Sequence, residues 1–453
     1  SRRSRWIPGT RHAYCNSGAA VAAYIIEKIS GKKYEDYIDQ NFFQPLGMTS
    51  TSYFQTDLYQ QKGATLYTEG KAENYWHVIH RAAGSINSSP NDMAKLVQLL
   101  LRRGATSSAQ LIPGTAIDRM EISATTLGYA SGIKAGYGLA NYTSGYQDSR
   151  VTFHGHNGGL FGGLAELSYS KELATGYVFM INAGNWPAFD KISKTIRAYL
   201  LKDHQSNNPV PIALPETFKH LSGYYVPINH RQQLARSTTT VFGVMKFYSD
   251  DTYFYQQPLL GGIEPLGKNY AINDKYLIDS ATGLPAIAIV DDPIAGKAVQ
   301  INTDLFQQVS PLQVFGLLGL YGLLIIISLC SVLAAPFWGL RRIIKKIPVD
   351  ASVWIRTWPL IASLFFFGLI IATSISGLFI HAAGTISALS LSIFALSIIY
   401  PLSVADCVRG LLKYRQQPIS KWIYWYASVY TGLHLLMVVH LAYYGLLALR
   451  TWS

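Results

Sequence analysis

The sequence predicts an α+β fold in which an antiparallel sheet with flanking helices is followed by a small β domain and then by a four-helix transmembrane region. Three observations lead to this prediction. Apolar residues recur with helical spacing up to about residue 125, short strand-like runs separated by Gly-rich turns follow, and four uncharged apolar stretches occupy the last third of the chain. Helices, then strands, then a helix are typical of a layered α+β domain. We place the three parts at 1–205, 216–305 and 312–449.

Three helices are predicted ahead of the sheet. The first covers 19–29 with its apolar residues on one stripe, and Gly31 suits the left-handed position that commonly follows a helix. The second covers 34–42. The third has a clear start, because Ser89 can cap it and Pro90 fits its first turn.

The sheet and the β domain come next. Tight Gly-rich turns imply antiparallel pairing of three short strands. These strands are predicted at 151–156, 164–170 and 175–183. A helix over 187–203 should pack on this sheet. After a linker at 204–215, residues 216–305 are rich in Tyr, Phe, Val and Gly, which predicts a small β domain, with a barrel as one possible form.

Four membrane spans are predicted in the C-terminal third. Each is an uncharged apolar stretch that meets the roughly 20 residues needed to cross the hydrocarbon core. The spans lie at about 312–334, 358–380, 382–405 and 422–446. Span four contains His434 and His440, for which we consider packing or hydrogen bonding and, as an alternative, a transport or relay role.

The distribution of positive charge predicts the orientation of these spans. Residues 311–453 hold ten basic and two acidic residues, in a chain whose net charge is +12. The basic residues cluster between spans one and two and between spans three and four, so these loops should be cytoplasmic. Residues 1–310 and the C-terminus would then lie on the periplasmic or extracellular side of a multi-pass membrane protein. Nucleic-acid binding is not expected, since no soluble part carries a basic stripe with interleaved aromatic residues.

Two triplets contain the residues most suited to catalysis. Tyr-Cys-Asn occupies 14–16, and His-Asn-Gly follows after a long gap at 156–158. Tyr and His can transfer protons, and Asn can orient polar groups. His154 and His156 alternate along a strand and could form a metal pair, but no third ligand stands in an obvious place. We therefore predict no metal and no cofactor.

The two triplets belong to a series of short motifs that follow one another along the chain. In chain order, the motifs are Pro8-Gly9-Thr10, Tyr14–Gly18, Pro45-Leu46-Gly47-Met48, Ala82-Ala83-Gly84-Ser85 and Gly155–Gly159. The series resembles the C-terminal half of the serine β-lactamase and penicillin-binding-protein superfamily, in particular its class C-related group of esterases and D-amino-acid peptidases. The resemblance covers about residues 5–200 and implies a β-lactamase-like serine hydrolase domain. The small β domain resembles the lipocalin-like appendages of such hydrolases.

The resemblance implies roles for five residues. Tyr14 would be the base or proton shuttle for a serine hydroxyl, which is a poor nucleophile until a base takes its proton. Since a tyrosine with the ordinary pKa of about 10 stays protonated at pH 7, this role needs a neighbouring cation. Asn16 would orient the family's lysine and the substrate amide, and His156 stands where many members have Lys or His. Gly158 would let the strand edge approach the substrate, and the N–H of Gly159 would form half of an oxyanion hole.

The nucleophile motif of the resembled family, Ser-x-x-Lys, is not found ahead of Tyr14, which only 13 residues precede. Two matches elsewhere, at 30–33 and 168–171, stand in the wrong order, and we reject both. We therefore expect an N-terminally truncated domain with its nucleophile upstream, and we expect the chain as given to be inactive.

Two functions remain open at this stage. The first is a membrane-anchored serine hydrolase of the β-lactamase, D-Ala-D-Ala carboxypeptidase or esterase type, which acts through an acyl-enzyme on a D-amino-acid peptide, a β-lactam or an ester. The alternative is a catalytically inactive extracellular membrane protein that binds peptidoglycan or a peptide, or serves as a sensor. The partners would be a small-molecule or peptide substrate and the lipid bilayer.

Overall fold

The computed structural model describes residues 6–78, 80–204, 209–231, 235–262 and 264–452. The chain divides into two compact units. Unit 1 comprises Ser1–Arg231 and Gly243–Val309, and unit 2 comprises Gln232–Phe242 and Ser310–Ser453. The centre of the predicted linker, 205–208, lies outside the described residues.

Unit 1 contains short and long helices and two larger groups of strands. Its helices are α1 (Asn16–Ser30), α2 (Tyr34–Ile38), α3 (Gln44–Leu46), α4 (Asp57–Lys62), α5 (Pro90–Leu101), α6 (Gly114–Glu121), α7 (Trp186–Leu200) and α8 (Glu216–Lys219). Its first strands are β1 (Tyr67–Thr68), β2 (Lys71–Ala72), β3 (Gly136–Tyr137), β4 (Tyr142–Ser144), β5 (Phe153–Leu160), β6 (Gly163–Ser170) and β7 (Thr175–Ile181). The later strands are β8 (Gly223–Pro227), β9 (Met245–Ser249), β10 (Tyr253–Pro258), β11 (Gly267–Ala271), β12 (Tyr276–Asp279), β13 (Pro285–Asp292), β14 (Gly296–Ile301) and β15 (Asp304–Val309).

Local capping chemistry sets the helix boundaries. The Ser89 side chain accepts a hydrogen bond from the Asp92 N–H at 3.2 Å and Pro90 opens α5, as the sequence predicts. Gly31 follows α1 in the left-handed conformation, with φ of 70°. The predicted start of α1 is wrong by three residues, because the helix begins at Asn16 directly after an extended residue. The predicted second helix, 34–42, is also divided, since α2 gives way to a π-helical turn.

Five antiparallel strands form the sheet of unit 1 in the order β3-β4-β5-β6-β7. The prediction of an α+β fold is therefore confirmed, although β5 runs over Phe153–Leu160 rather than 151–156 and β7 ends at Ile181. Helix α6 and the strands β3 and β4 were not predicted. Strands of two or three residues and a helix of eight are too short to give a recognisable period.

Helices cover both faces of this sheet. On one face, Val97 of α5 and Ile117 of α6 pack in a buried cluster with Tyr169 of β6. On the opposite face, α7 lies over β6, where Arg197 Nη2 forms an ion pair with Glu166 Oε1 at 2.9 Å. Successive strand residues point to opposite faces, so Glu166 and Tyr169 mark the two sides. The result is a helix–sheet–helix sandwich.

Strands β8–β15 close into an eight-stranded barrel. The small β domain predicted at 216–305 is therefore a barrel, and its last strand ends slightly later, at Val309. Phe247, Phe254, Leu277 and Ile287 are among the fully buried side chains of its core. Closure pairs every strand on both sides, which removes the exposed edges that a small open sheet would have.

An ion pair joins the barrel to the segment that precedes α1. Arg11 Nη2 lies 2.6 Å from Asp292 Oδ1 and Arg11 Nε lies 2.8 Å from Oδ2, and both side chains are buried. The backbone N–H groups of Ile294 and Ala295 also donate to the Asp292 carboxylate. The hydrogen bond from Arg11, aided by these N–H groups and the nearby positive charge, lowers the pKa of Asp292 to about 2 against the opposing effect of burial.

Unit 2 is helical. Its helices are α9 (Arg236–Phe242), α10 (Pro311–Ile344), α11 (Ala351–Leu378), α12 (Ile380–Gly384), α13 (Ala388–Lys413) and α14 (Lys421–Tyr443). Among the described residues, α10, α11 and α13 are long and apolar enough to cross a membrane by length and composition. The predicted span at 422–446 is a helix, α14, but it does not reach this standard, because Tyr, His, Ser and Thr residues interrupt its apolar sequence. The span predicted to start at 382 begins only at Ala388, where Ser387 caps α13.

A polar network lies inside the helix bundle around His434, which is fully buried. Its Nε2 lies 3.1 Å from Ser328 Oγ on α10, and its Nδ1 lies 2.8 Å from Tyr400 OH on α13. The ring of Tyr430, one turn earlier on α14, stacks on His434 with centroids 4.1 Å apart. His434 therefore bonds α14 to two other helices, as the hydrogen-bonding hypothesis requires.

His440 makes a second set of hydrogen bonds on α14. Its Nε2 lies 2.8 Å from Ser237 Oγ on α9 and 3.0 Å from Tyr321 OH on α10. Both histidines thus link helices of unit 2, and a relay role for them stays a prediction.

Removing Arg11 should destabilise unit 1. The variant Arg11→Met leaves the Asp292 carboxylate buried without its cation, and we expect it to lose about 3–5 kcal/mol of unfolding free energy. The measurement is denaturant unfolding in detergent, followed by tryptophan fluorescence. The double variant with Asp292→Asn should recover part of the loss, because no buried charge is then left unpaired. Wild-type stability of Arg11→Met would contradict this account.

The same pair predicts a specific acid sensitivity. The pKa of Asp292 is about 2 in the folded protein against 3.8 ordinarily, so its stabilisation is present above pH 4 and is lost as the pH falls towards 2. A shift of this size corresponds to about 2.5 kcal/mol. Asp292→Asn should lack this part of the acid loss, and an unchanged pH profile in that variant would count against it.

Replacing His434 should loosen the bundle. In His434→Leu the hydroxyls of Ser328 and Tyr400 lose their shared partner, and we expect a cost of about 0.6–2 kcal/mol for each bond. The thermal midpoint in detergent should fall, and His434→Gln, which can still donate and accept, should fall less. Val439→Leu on the exposed side of α14 is the control. Equal midpoints for His434→Leu and wild type would exclude a structural role for these bonds.

Candidate active site

Two of the predicted site residues meet where the N-terminal segment lies beside the sheet. Tyr14 precedes α1, His156 lies on β5, and their ring centroids are 6.1 Å apart. Asn16, the first residue of α1, is exposed and follows Tyr14 by two residues in sequence. Tyr14 and His156 therefore lie close together, although about 140 residues separate the two triplets in the chain.

The hydrogen bonds of His156 fix its protonation. Its Nδ1 lies 2.5 Å from the carbonyl oxygen of Asn157, and because a carbonyl oxygen only accepts, Nδ1 must carry the proton. Nε2 then accepts from the hydroxyl of Tyr137 at 3.0 Å. Burial lowers the pKa of His156, and the bond to Asn157 opposes this only in part. At neutral pH His156 is thus a neutral imidazole with both nitrogens engaged.

Further aromatic rings surround this pair. Tyr137 contacts the edge of Tyr14 with centroids 5.7 Å apart, Tyr142 lies 4.7 Å from the ring of His156, and His12 lies 5.1 Å from Tyr137. We call these five residues, His12, Tyr14, Tyr137, Tyr142 and His156, the tyrosine–histidine cluster. Burial raises the pKa of Tyr137 and Tyr142 and lowers the pKa of His12. Together with His156, these side chains are uncharged at neutral pH.

The hairpin of β3 and β4, which supplies two tyrosines of this cluster, was not predicted from the sequence. Tyr137 pairs with Tyr142 across β3 and β4, and Tyr142 pairs with Gly155 across β4 and β5. This register brings both tyrosines next to His156. The only indication of this hairpin in the sequence is a pair of tyrosines that flank a turn shortly before a strand. Strands as short as β3 and β4 show no alternation of apolar and polar residues by which they could be predicted.

A cation from the barrel also reaches the cluster. The guanidinium carbon of Arg231 lies 4.7 Å from the centroid of the Tyr14 ring. The charge of Arg231 opposes the rise in the pKa of Tyr142, which places it close to that hydroxyl as well. Arg231 follows β8 and is far from Tyr14 in sequence, so no sequence pattern connects the two.

Gly158 and Gly159 lie on the outer half of β5, where the sheet is open. β4 pairs only with Phe153–Gly155, and β6 pairs with the other side of β5 as far as Leu160. A Cβ on Gly158 would have no atom within 4 Å, whereas a Cβ on Gly159 would approach Trp186 to 3.0 Å. Since side chains alternate, Gly158 shares a strand face with His156.

His154 belongs to a different environment. It is buried, with Nδ1 3.3 Å from Thr143 Oγ1 and its ring 5.7 Å from that of Tyr169. Across the part of the chain that the structure describes, no group of three or more His, Cys, Asp or Glu residues could hold a metal ion. The metal-pair alternative for His154 and His156 therefore finds no third ligand there.

The two chance matches to Ser-x-x-Lys are not placed for catalysis. Ser30 ends α1, whereas Lys33 precedes α2. Ser168 is only 2% exposed within β6, and Lys171 Nζ, in the turn that follows, lies 2.8 Å from Glu121 Oε2. Neither match presents Ser and Lys on one face of a helix, in agreement with their rejection.

Sequence comparison finds similarity between the first part of the chain and a known family. Residues 1–200 match the family model "Beta-lactamase". A putative penicillin-binding protein, PbpX, from Bacillus subtilis (strain 168) is 32% identical over 99 residues, which are 19% of this chain and 24% of that protein. The chain therefore spans about a quarter of the length of this curated relative.

Several solved structures are similar to parts of the chain. The octameric penicillin-binding protein homologue from Pyrococcus abyssi is 20% identical over 66% of this chain and 65% of its own, with a TM-score of 0.37. SurE is 18% identical over 68% and 71%, with a TM-score of 0.41. The D-amino acid amidase from Ochrobactrum anthropi SV3, complexed with D-phenylalanine, is 21% identical over 42% and 61%, with a TM-score of 0.34. The family-model match, together with the similarity to a penicillin-binding protein, supports the assignment of residues 1–200 to the superfamily of serine β-lactamases and penicillin-binding proteins.

Proposed function

We propose that the protein is a membrane-anchored serine hydrolase that forms an acyl-enzyme with a D-amino-acid peptide, a β-lactam or a small ester. The observation that carries this proposal is the meeting of Tyr14 and His156 beside the open strand edge at Gly158.

Tyr14 acts in this proposal as the base that takes the proton of the serine hydroxyl. Its ring is half-buried, and the guanidinium carbon of Arg231 lies 4.7 Å from the ring centroid. Asn16 orients the substrate amide from the first turn of α1. The N–H of Gly159 stabilises the negative oxygen of the tetrahedral intermediate, together with the N–H of the serine.

His156 acts as an orienting group rather than as a cation. Both its nitrogens are engaged, and burial keeps it neutral. Its Nε2 accepts a hydrogen bond from the hydroxyl of Tyr137, and the ring of Tyr137 makes an edge contact with the ring of Tyr14, so the three side chains keep a fixed geometry. The unpaired edge of β5 beyond Gly155 offers backbone groups to an extended peptide, which supports a peptide among the substrate classes.

The helices of unit 2 anchor this domain in the bilayer. α10, α11 and α13 have the required length and composition. α14 crosses beside them, because its buried Ala427 and Tyr430 lie in the interior of the same bundle. With four spans, the basic segments after α10 and around 409–421 are cytoplasmic, and residues 1–310 face the periplasm or cell exterior.

A non-catalytic role is the second candidate. A bundle with more helices than an anchor needs favours it. In this case the open edge of β5 binds peptidoglycan or a peptide, and the helices transmit the signal.

Tyr14→Phe separates the two candidates. It removes only the hydroxyl, so in the full-length protein kcat/KM for a D-alanyl-D-alanine peptide should fall about 100-fold or more while binding is retained. Tyr24→Phe is the matched control, because Tyr24 is 56% exposed on α1 and should leave the rate unchanged. Unchanged turnover in Tyr14→Phe would remove Tyr14 from the mechanism.

Mass spectrometry of the natural protein from its source membranes tests the origin of the nucleophile. The prediction of a nucleophile upstream of Tyr14 requires the natural protein to take up one fluorophosphonate or penicillin. The isolated chain Ser1–Ser453 should take up none. A stoichiometric adduct on that chain would overturn the proposal that the nucleophile lies outside it, and a natural start at Ser1 without labelling would favour the non-catalytic role.

A further inference from the structure

A cavity of about 390 Å³ lies where the start of β5 meets α6, the segment 129–134 and the turn after β6. None of the residues that line it belongs to the tyrosine–histidine cluster. Its volume falls within the range of small-molecule sites, which is roughly 300–1,000 Å³. The apolar part of its lining consists of Ile122, Tyr129 and Ile133.

His154 presents an open hydrogen-bond acceptor to this cavity, although the residue is only 7% exposed. Thr143 Oγ1 donates its single proton to the carbonyl oxygen of Glu121 at 3.2 Å, so it can only accept from His154 Nδ1 at 3.3 Å. The proton of the neutral ring is therefore on Nδ1. Nε2 has no partner in the described parts of the chain, yet it is not sealed from solvent. A buried polar atom of this kind favours a ligand that donates a hydrogen bond to it.

Two exposed residues of opposite charge, Lys134 and Glu172, line the same cavity. Neither has an ion-pair partner within 4 Å among the residues that the structure describes. Glu172 Oε2 accepts a hydrogen bond from Ser170 Oγ at 3.0 Å, which leaves its other oxygen available. The charge of Glu172 opposes the fall in the pKa of His154 that burial causes, so the carboxylate lies close to the ring.

The other charged residues of the lining neutralise one another. Lys171 Nζ lies 2.8 Å from Glu121 Oε2 and 3.9 Å from Asp118 Oδ1. Arg103 Nη1 lies 2.5 Å from Glu121 Oε1. These groups hold the wall of the cavity together, whereas Lys134 and Glu172 remain for a ligand.

We propose that this cavity binds a free α-amino acid with an apolar side chain. Its carboxylate accepts hydrogen bonds from Lys134, and its ammonium donates to Glu172 and to His154 Nε2. The side chain packs against Ile122 and Tyr129, which are both substantially exposed in the empty cavity. A ligand with only one charge leaves one of the two charged residues without a partner. The inference does not depend on the proposed hydrolase activity, because no residue of the tyrosine–histidine cluster takes part.

An NMR titration of the full-length protein in detergent tests the proposal. L-leucine is the probe, and the ring ¹⁵N signals of the histidines are the readout. The Nε2 signal of His154 should shift as leucine binds, because this nitrogen gains a donor. Leucine amide lacks the carboxylate and N-acetyl-leucine lacks the ammonium, so each should bind about 3- to 10-fold more weakly. A His154 signal that does not move with leucine overturns the proposal.

Two exposed substitutions assign the charges without disturbing the core. Lys134→Gln should weaken leucine binding about 3- to 10-fold and abolish its advantage over leucine amide. Glu172→Gln should weaken it similarly and abolish its advantage over N-acetyl-leucine. Lys191→Gln and Asp190→Asn, exposed on α7 at the opposite face of the sheet, are the matched controls and should bind leucine like the wild type. Wild-type affinity for leucine in both Lys134→Gln and Glu172→Gln also overturns the proposal, because the ligand would then lie elsewhere.

Discussion

The ion pair between Arg11 and Asp292 is the constraint on which the geometry of unit 1 depends. Arg11 lies three residues before Tyr14, and its partner lies at the end of the barrel strand β13. A buried ion pair contributes little net stability compared with an apolar pair, but its directional hydrogen bonds fix which groups face each other. The pair therefore fixes the position of Tyr14 relative to the barrel, and through Ile228 it also fixes the segment that carries Arg231.

Three parts of unit 1 contribute side chains to the candidate site. The sheet supplies His156 and the two tyrosines of the β3–β4 hairpin, the N-terminal segment supplies Tyr14, and the barrel supplies the cation. Burial makes the surrounding rings neutral, so the charge of Arg231 dominates the site.

The helices of unit 2 are apolar on most sides, so they are held together differently from the elements of unit 1. Where such helices pack, small side chains allow close approach and the few polar groups bond to one another. His434 illustrates this, since its two nitrogens bond to α10 and α13 in the interior of the bundle. The same polar residues that reduce the apolar character of α14 are thus the ones that bind it to its neighbours.

The sequence by itself determined what depends on a few consecutive residues. These features are the cap of α5 at Ser89, the apolar helices of unit 2, the antiparallel strands around His156, and the motifs at Tyr14 and Asn16 that indicate the family. Only the tertiary structure decided the remainder. The Nδ1–H tautomer of His156 depends on the backbone turn at Asn157 and on Tyr137, and the approach of Arg231 depends on how the barrel packs against the N-terminal segment. Capping and periodicity act over one or two turns of chain, whereas contacts between distant residues are set by packing, which no local pattern encodes.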